Sequence, residues 1–283
     1  MKTGHIGFES SRSLAETLGR AMSFDCNDID ITYKRCMEQL FLSVPDNQTV
    51  NGKDYQIVYD HLANLSVFKS VCDVEPIEAQ DSDVVDRNRK LDLRYCTKEE
   101  SEDFHSLLNR TYEYIKSVNY DLYRSVRLLI NFYVLAGHPH AEGGSVSSSI
   151  GVIWINPDIN YSEQGLADVI VHETVHNFLF LDDMVNKIFS CDMEHLTSYK
   201  AKSAILLKER AFDKAFHAAF VLHHLITWKG SGANNGIDNK NLTASIVSMQ
   251  KYKNKALTKH GLDRLSQLER IYLLEDNLLS LSA

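Results

Sequence analysis

Apolar residues recur at three- and four-residue spacing along most of this chain, and β-like runs are confined to two short stretches. The pattern predicts helices over Tyr33–Phe41 and Tyr55–Val67, set apart by the polar Asp46-Asn47-Gln48 and followed by the charged run Asp81 to Lys90. Another helix is expected from Glu102 to Asn119. Val126 to Leu135 and Ile150 to Ile155 carry the β-branched and aromatic content of strands, and the small-residue stretch Gly137 to Ser149 reads as the loop between them. Asn156-Pro157-Asp158 marks a turn, and Ser162-Glu163-Gln164 then reads as a helix start with an acid in its first turn. That helix should run from about Glu163 to Met184. Thr197 to Trp228 is expected as one long helix, stopped by Lys229-Gly230-Ser231-Gly232 and followed by a polar loop from Ala233 to Lys240. Leu262 to Leu281 is Leu-rich at helical spacing. With Leu265, Leu268, Tyr272 and Leu279 aligned and no sustained heptads, it reads as a core helix.

These elements predict an α+β protein, mainly α, with a small antiparallel sheet packed on the Glu163–Met184 helix and additional helices around it. A chain of 283 residues, 44% hydrophobic, can bury a sizeable core. It is expected to form a single domain, with residues 1–100 a helical specificity region, about 125–228 the chemical core and 240–283 a C-terminal helical region. Acidic residues outnumber basic ones, 38 to 30, and no Arg/Lys run interleaves with aromatics, which argues against a nucleic-acid partner. No apolar stretch approaches the ~20 residues of a membrane span, and Met1-Lys2-Thr3-Gly4-His5 leads into polar sequence. Cys26, Cys36, Cys72, Cys96 and Cys191 are scattered without a C-x-x-C pair. A reducing, cytoplasmic setting is the expectation.

The chemistry concentrates at His172-Glu173-Thr174-Val175-His176, an H-E-x-x-H pattern. Two imidazoles four residues apart share one helical face and can grip one metal ion. Val169, His172, His176 and Leu179 or Phe180 fall on that face, while Glu163, Gln164, Asp168 and Asp182 fall mostly elsewhere, so the histidines are expected to point inward. The plainer reading is a pair of satisfied core histidines. Two histidines do not close a catalytic site, so a third protein ligand is needed. Asn177-Phe178-Leu179-Phe180-Leu181-Asp182 lacks the Gly and His of a metzincin continuation. Glu194, His195 and Glu209 remain candidates. If Thr197 to Trp228 is one helix, Tyr199, Ser203, Arg210, Asp213, His217 and His224 share a stripe flanked by apolar residues. His217 is the preferred third ligand, with Arg210 placed to receive an anion and Asp213 to orient. The competing account is an Arg210–Asp213 ion pair beside a core histidine.

Strand, glycine-serine loop, strand and H-E-x-x-H helix follow the order of a zincin-type half-domain, in which an edge strand can hold an extended peptide. The chain also resembles the H-E-x-x-H peptide-modification proteins associated with ribosomally made, post-translationally modified peptides. Ser147-Ser148-Ser149…Gly151-Val152-Ile153-Trp154, Val171-His172-Glu173-Thr174-Val175-His176 and Arg210…His217-Ala218-Ala219-Phe220 carry the likeness, which covers about residues 145–228. Leu207-Lys208-Glu209-Arg210-Ala211-Phe212 stands where the family commonly has Pro-Trp-Arg and Pro-Arg-Pro. The resemblance implies a non-haem Fe(II), 2-oxoglutarate-dependent hydroxylase acting on a precursor peptide at an unactivated carbon, with a β-carbon expected. His172, His176 and His217 would bind iron, Arg210 the keto acid, and Glu173 would serve as hydrogen-bond partner or proton handler. The alternative from the motif alone is a zinc metallopeptidase with Glu173 as general base. A third is a catalytically silent peptide-binding domain.

Overall fold

The structure is a computed structural model that describes residues 49–52, 55–58, 94–137, 142–145, 147, 150–229 and 235–280. Expectations for Tyr33–Phe41, Asp46 to Gln48, Asp81 to Lys90 and the glycine-rich stop at 230–232 lie outside the described residues. The protein is α+β and mainly helical, with a small sheet. Described residues up to Asn177 form one compact unit, and those from Phe178 onward form another.

In the first unit, β1 (Thr49–Asn51), β2 (Gln56–Val58), β4 (Phe132–Gly137), β6 (Val152–Ile155) and β5 (Gly143–Gly144) lie in that order, and β3 (Arg94–Tyr95) pairs with β4. β2, β4 and β6 run parallel, while β1, β3 and β5 are antiparallel to their neighbours. The sheet is therefore mixed, not antiparallel as expected. The cause is the path between β2 and β4, which includes two helices, α1 (Lys98–Val118) and α2 (Tyr120–Leu129), and so allows a parallel return. Tyr133 to Gly137 in β4 and all of β6 are buried, as the central strands of a parallel sheet should be.

Capping sets the helix boundaries. Thr97 and Glu100 form a reciprocal capping box on α1, whose Phe104, Leu108, Tyr112 and Ile115 are buried. Asn119 accepts from the Leu122 amide to start α2. The predicted strand from Val126 is thus corrected. Val126 and Leu129 are buried on α2, and extended backbone begins only after Leu129. Likewise Gln56–Val58, expected in a helix, is a strand aligned with Phe132–Val134. A short strand also interrupts the predicted Gly137–Ser149 loop. At Gly143 an added Cβ would lie 2.6 Å from the Trp154 carbonyl oxygen, so this close strand pairing requires glycine.

The H-E-x-x-H motif lies on α3 (Glu163–Asn186), close to the predicted span. Ser162 accepts from the Gly165 amide at its start. Lys187 adopts a left-handed conformation at its end, φ 58°, a position where glycine is usual.

In the second unit, the predicted Thr197–Trp228 helix is broken into α4 (Met193–Ser198), a hairpin of β7 (Lys200–Lys202) and β8 (Glu209–Ala211), and α5 (Phe212–Lys229). The hairpin survives its helix-friendly composition because tertiary partners hold it. Ser245 donates to the Lys202 carbonyl, and the Lys202 amide donates to Ser248. Both serines lie on α6 (Asn235–Met249), which replaces much of the predicted polar loop. After α7 (Lys253–Ala256), α8 (Lys259–Ser280) confirms the C-terminal core helix, with Leu265, Leu268 and Tyr272 buried.

Asp182, expected away from the packed face, is completely buried. Arg264 Nε and His260 Nε2 lie 2.8 Å from its two carboxylate oxygens, and Asn186 Nδ2 donates to it at 2.9 Å. Arg264 also covers the Phe178 ring. Removing one partner of a buried ion pair strands the other charge, so Asp182→Asn is expected to cost about 3–5 kcal/mol. Urea unfolding of both proteins measures it. A loss under about 1 kcal/mol would show that the cluster contributes little.

Candidate metal centre

α3 is buried around most of its circumference. Leu166, Ala167, Ile170, Val171, Val175, Phe178, Leu179 and Leu181 supply the apolar part of that surface. One stripe stays half-open, running through Asp168, Val169, His172, His176, Phe180 and Asp183 at three- and four-residue spacing. The histidines therefore do not point into a closed core as predicted, but occupy the accessible face of an otherwise buried helix. His172 keeps 32% of its side-chain exposure. A ligand can reach this stripe without unfolding the helix.

The two Nε2 atoms lie 3.2 Å apart, with ring centroids separated by 5.0 Å and tilted by 48°. Metal–nitrogen bonds of about 2.0–2.1 Å at angles between 90° and 109° would separate two ligating nitrogens by roughly 2.9–3.4 Å. The pair fits that range, so these residues fit a shared metal ion. The fit concerns two ligands: among the described residues, no group of three or more His, Cys, Asp or Glu side chains is gathered to hold a metal.

Glu173 is buried at 6% exposure. Its Oε2 accepts a 2.6 Å hydrogen bond from Ser145, just after β5, and its Oε1 lies 3.8 Å from His172 Nε2. Thr174 donates to the Ile170 carbonyl and is absorbed within the helix. Asn177 is fully buried, and its Oδ1 accepts from the Gly151 amide while its Nδ2 donates to the Glu173 carbonyl at 2.9 Å. Sequence reasoning missed Ser145 and Asn177 as support for the motif. Asn177 follows His176 directly, so a polar residue at a buried position of an apolar helix was the available signal.

The remaining predicted residues lie in the second unit. His217 is buried on α5, with its ring centroid 5.1 Å from Phe180 and 6.2 Å from Phe189. Burial pushes its pKa down to about 4, which keeps the imidazole in the neutral form that can bind metal. The competing ligands are at the surface: Glu194, His195 and Glu209 are exposed, and His195 Nδ1 lies 2.7 Å from Asp192.

Arg210 is half-buried on β8, opposite Ala201, so the predicted helical stripe through Tyr199, Ser203 and Arg210 does not exist. Asp213 lies in the first turn of α5, and burial pushes its carboxyl above the usual range against smaller downward pulls that include Arg210. His224 Nδ1 donates to the Phe220 carbonyl within α5, and His223 Nδ1 pairs with the Tyr272 hydroxyl.

No family model matches the chain, nor does any curated protein.

His172→Ala and His176→Ala are each expected to abolish tight metal uptake while leaving the fold intact, because both side chains sit on the half-open stripe. Metal analysis alongside circular dichroism reads this out. Full occupancy in both variants would remove the centre.

A raised Asp213 pKa means the native state holds this proton to higher pH than the unfolded chain. The stability from protonation is lost as pH rises through that raised value, so the charged form carries a penalty at pH 7. Asp213→Asn should therefore equal or exceed wild type in stability at pH 7, with the advantage shrinking on acidification. A less stable variant at pH 7 would instead mark a favourable Arg210–Asp213 pair.

Proposed function

We propose that this protein is an Fe(II)/2-oxoglutarate-dependent oxygenase that hydroxylates a side chain of a ribosomally made peptide, at a β-carbon, in the cytoplasm. The observation that carries the reading is the 3.2 Å convergence of His172 and His176 Nε2 on the one half-open stripe of α3. His172 and His176 hold the metal, and burial keeps His217, the third ligand that the resemblance implies, in the neutral form such a role requires. When bound, iron and the keto acid supply dioxygen activation, one oxygen atom entering the peptide C–H bond as 2-oxoglutarate is oxidatively decarboxylated to succinate and carbon dioxide.

The chain's own contribution is binding and orientation. Arg210 pairs its planar fork with the distal carboxylate of the keto acid, a charge-assisted contact that a lysine reproduces only in part. Its place on β8, immediately before α5, keeps the Arg…His order of the resemblance on adjoining elements. Glu173, held by Ser145, orients the His172 side of the site. The Gly143–Gly144 strand forms the end of the described sheet order and leads directly to Ser145, a suitable neighbour for an extended peptide.

One observation favours a second reading, a zinc peptidase: Glu173 Oε1 lies only 3.8 Å from His172 Nε2, where a general base would stand. The products separate the two, since a peptidase yields cleaved peptide and an oxygenase yields succinate.

Anaerobic loading of the full chain with Fe(II), followed by 2-oxoglutarate, should give a visible charge-transfer band, and admitting air should release succinate. Arg210→Gln is expected to raise the 2-oxoglutarate requirement at least about tenfold, since losing a charged hydrogen bond costs about 1.5–3 kcal/mol. Arg210→Lys should fall between. Unchanged keto-acid affinity in a folded, iron-loaded Arg210→Gln protein, or peptide cleavage by the wild type, would falsify the assignment.

A further inference from the structure

We propose that Ser145 is a positioning residue for the metal centre, acting through Glu173. Four observations meet there. Ser145 donates to Glu173 Oε2 at 2.6 Å, a short contact of the kind made to a charged acceptor. Glu173 is buried, so its carboxylate is held by protein groups and not by bulk water. Its other oxygen is the one turned to His172, 3.8 Å from Nε2. The strand that delivers Ser145 is itself pinned, because Gly143 packs so closely on the Trp154 carbonyl that even a methyl group is excluded.

These contacts form a chain from backbone to metal ligand. β6 fixes β5, β5 presents the Ser145 hydroxyl, and that hydroxyl fixes the rotation of the Glu173 carboxylate. Asn177 closes the arrangement from the other side by tying the Glu173 carbonyl to the Gly151 amide just before β6. The helix turn that carries Glu173 is thus held against both ends of the β5–β6 neighbourhood. A carboxylate held in this way stands 3.8 Å from the same Nε2 that would bind metal, so it sets the electrostatic field that a cation meets at that nitrogen. Ser145 has no need to touch metal or substrate to act.

The inference rests on the metal-site part of the proposed function and is independent of whether the reaction is oxygenation or hydrolysis. The test is Co(II) titration of the metal-stripped full chain, followed by visible absorption, for wild type, Ser145→Ala, Ser145→Thr, Glu173→Gln and the Ser145→Ala/Glu173→Gln double variant, with His172→Ala as control. Ser145→Ala and Glu173→Gln should each weaken Co(II) binding about tenfold and shift the spectrum alike. The double variant should be no weaker than Glu173→Gln alone, and Ser145→Thr, which keeps the hydroxyl, should return to within about threefold of wild type. Should alanine disturb folding, Ser145→Gly repeats the measurement in a segment already rich in glycine. Wild-type behaviour of Ser145→Ala, or losses that multiply in the double variant, overturns the positioning role while leaving the His172-dependent metal site standing. A wild type that takes up no Co(II) overturns both.

Discussion

The Asn177 side chain is the contact on which the arrangement of the first unit depends. A fully buried amide must satisfy its donor and acceptor within the protein, and here it does so with the Gly151 amide on one side and the Glu173 carbonyl on the other. Gly151 has a positive φ of 88°, a conformation that a residue with a side chain would resist. One side chain thereby sets the height of α3 relative to the start of β6. Apolar packing of Ile170, Val171 and Val175 supplies attraction, but it is not directional. The amide fixes which turn of α3 lies beside Ser145, and so where Glu173 and the two histidines stand.

Much of α3 was legible in the sequence because independent signals agreed there: a serine cap, an acidic first turn, long apolar periodicity and an H-E-x-x-H pattern. The orientation of its histidines was less so. Apolar residues surround this helix on nearly every side, which blurs the periodicity that distinguishes buried from open faces. Asp182 misled for the same reason, since its burial depends on Arg264 and His260 some eighty positions away. Such a pairing leaves no local trace.

The hairpin of β7 and β8 was hidden by its composition. Lys, Ala, Leu, Glu and Arg are all good helix formers, and its turn, Ser203 to Lys208, lacks the glycine, asparagine or proline that marks most reversals. Leu207 instead adopts a φ of 59°, an uncommon choice for a bulky side chain. Hydrogen bonding explains how the turn holds: the Ser203 amide donates to the Lys208 carbonyl, and the Leu207 amide donates to the Ser203 carbonyl. Ser245 and Ser248 then fix Lys202 from α6. Long-range pairing overrides propensity here, and it separates Arg210 from the helix that carries His217.

The buried polar residues of α3 explain how an apolar helix can present functional groups at a defined angle. Glu173, Thr174, Asn177 and Asp182 have named partners in Ser145, the Ile170 carbonyl, the Gly151 amide and Arg264 with His260. Three of these four reach partners outside the helix, and each such contact is directional. Within the first unit, a rotation of α3 by one residue, about 100°, would break the Glu173 and Asn177 contacts together and leave their polar atoms buried. It would also carry His172 and His176 off the half-open stripe. The polar contacts that restrict the helix to one orientation are therefore the same ones that keep its two imidazoles accessible and converged, so the stability of this helix and the geometry of the centre have a common origin.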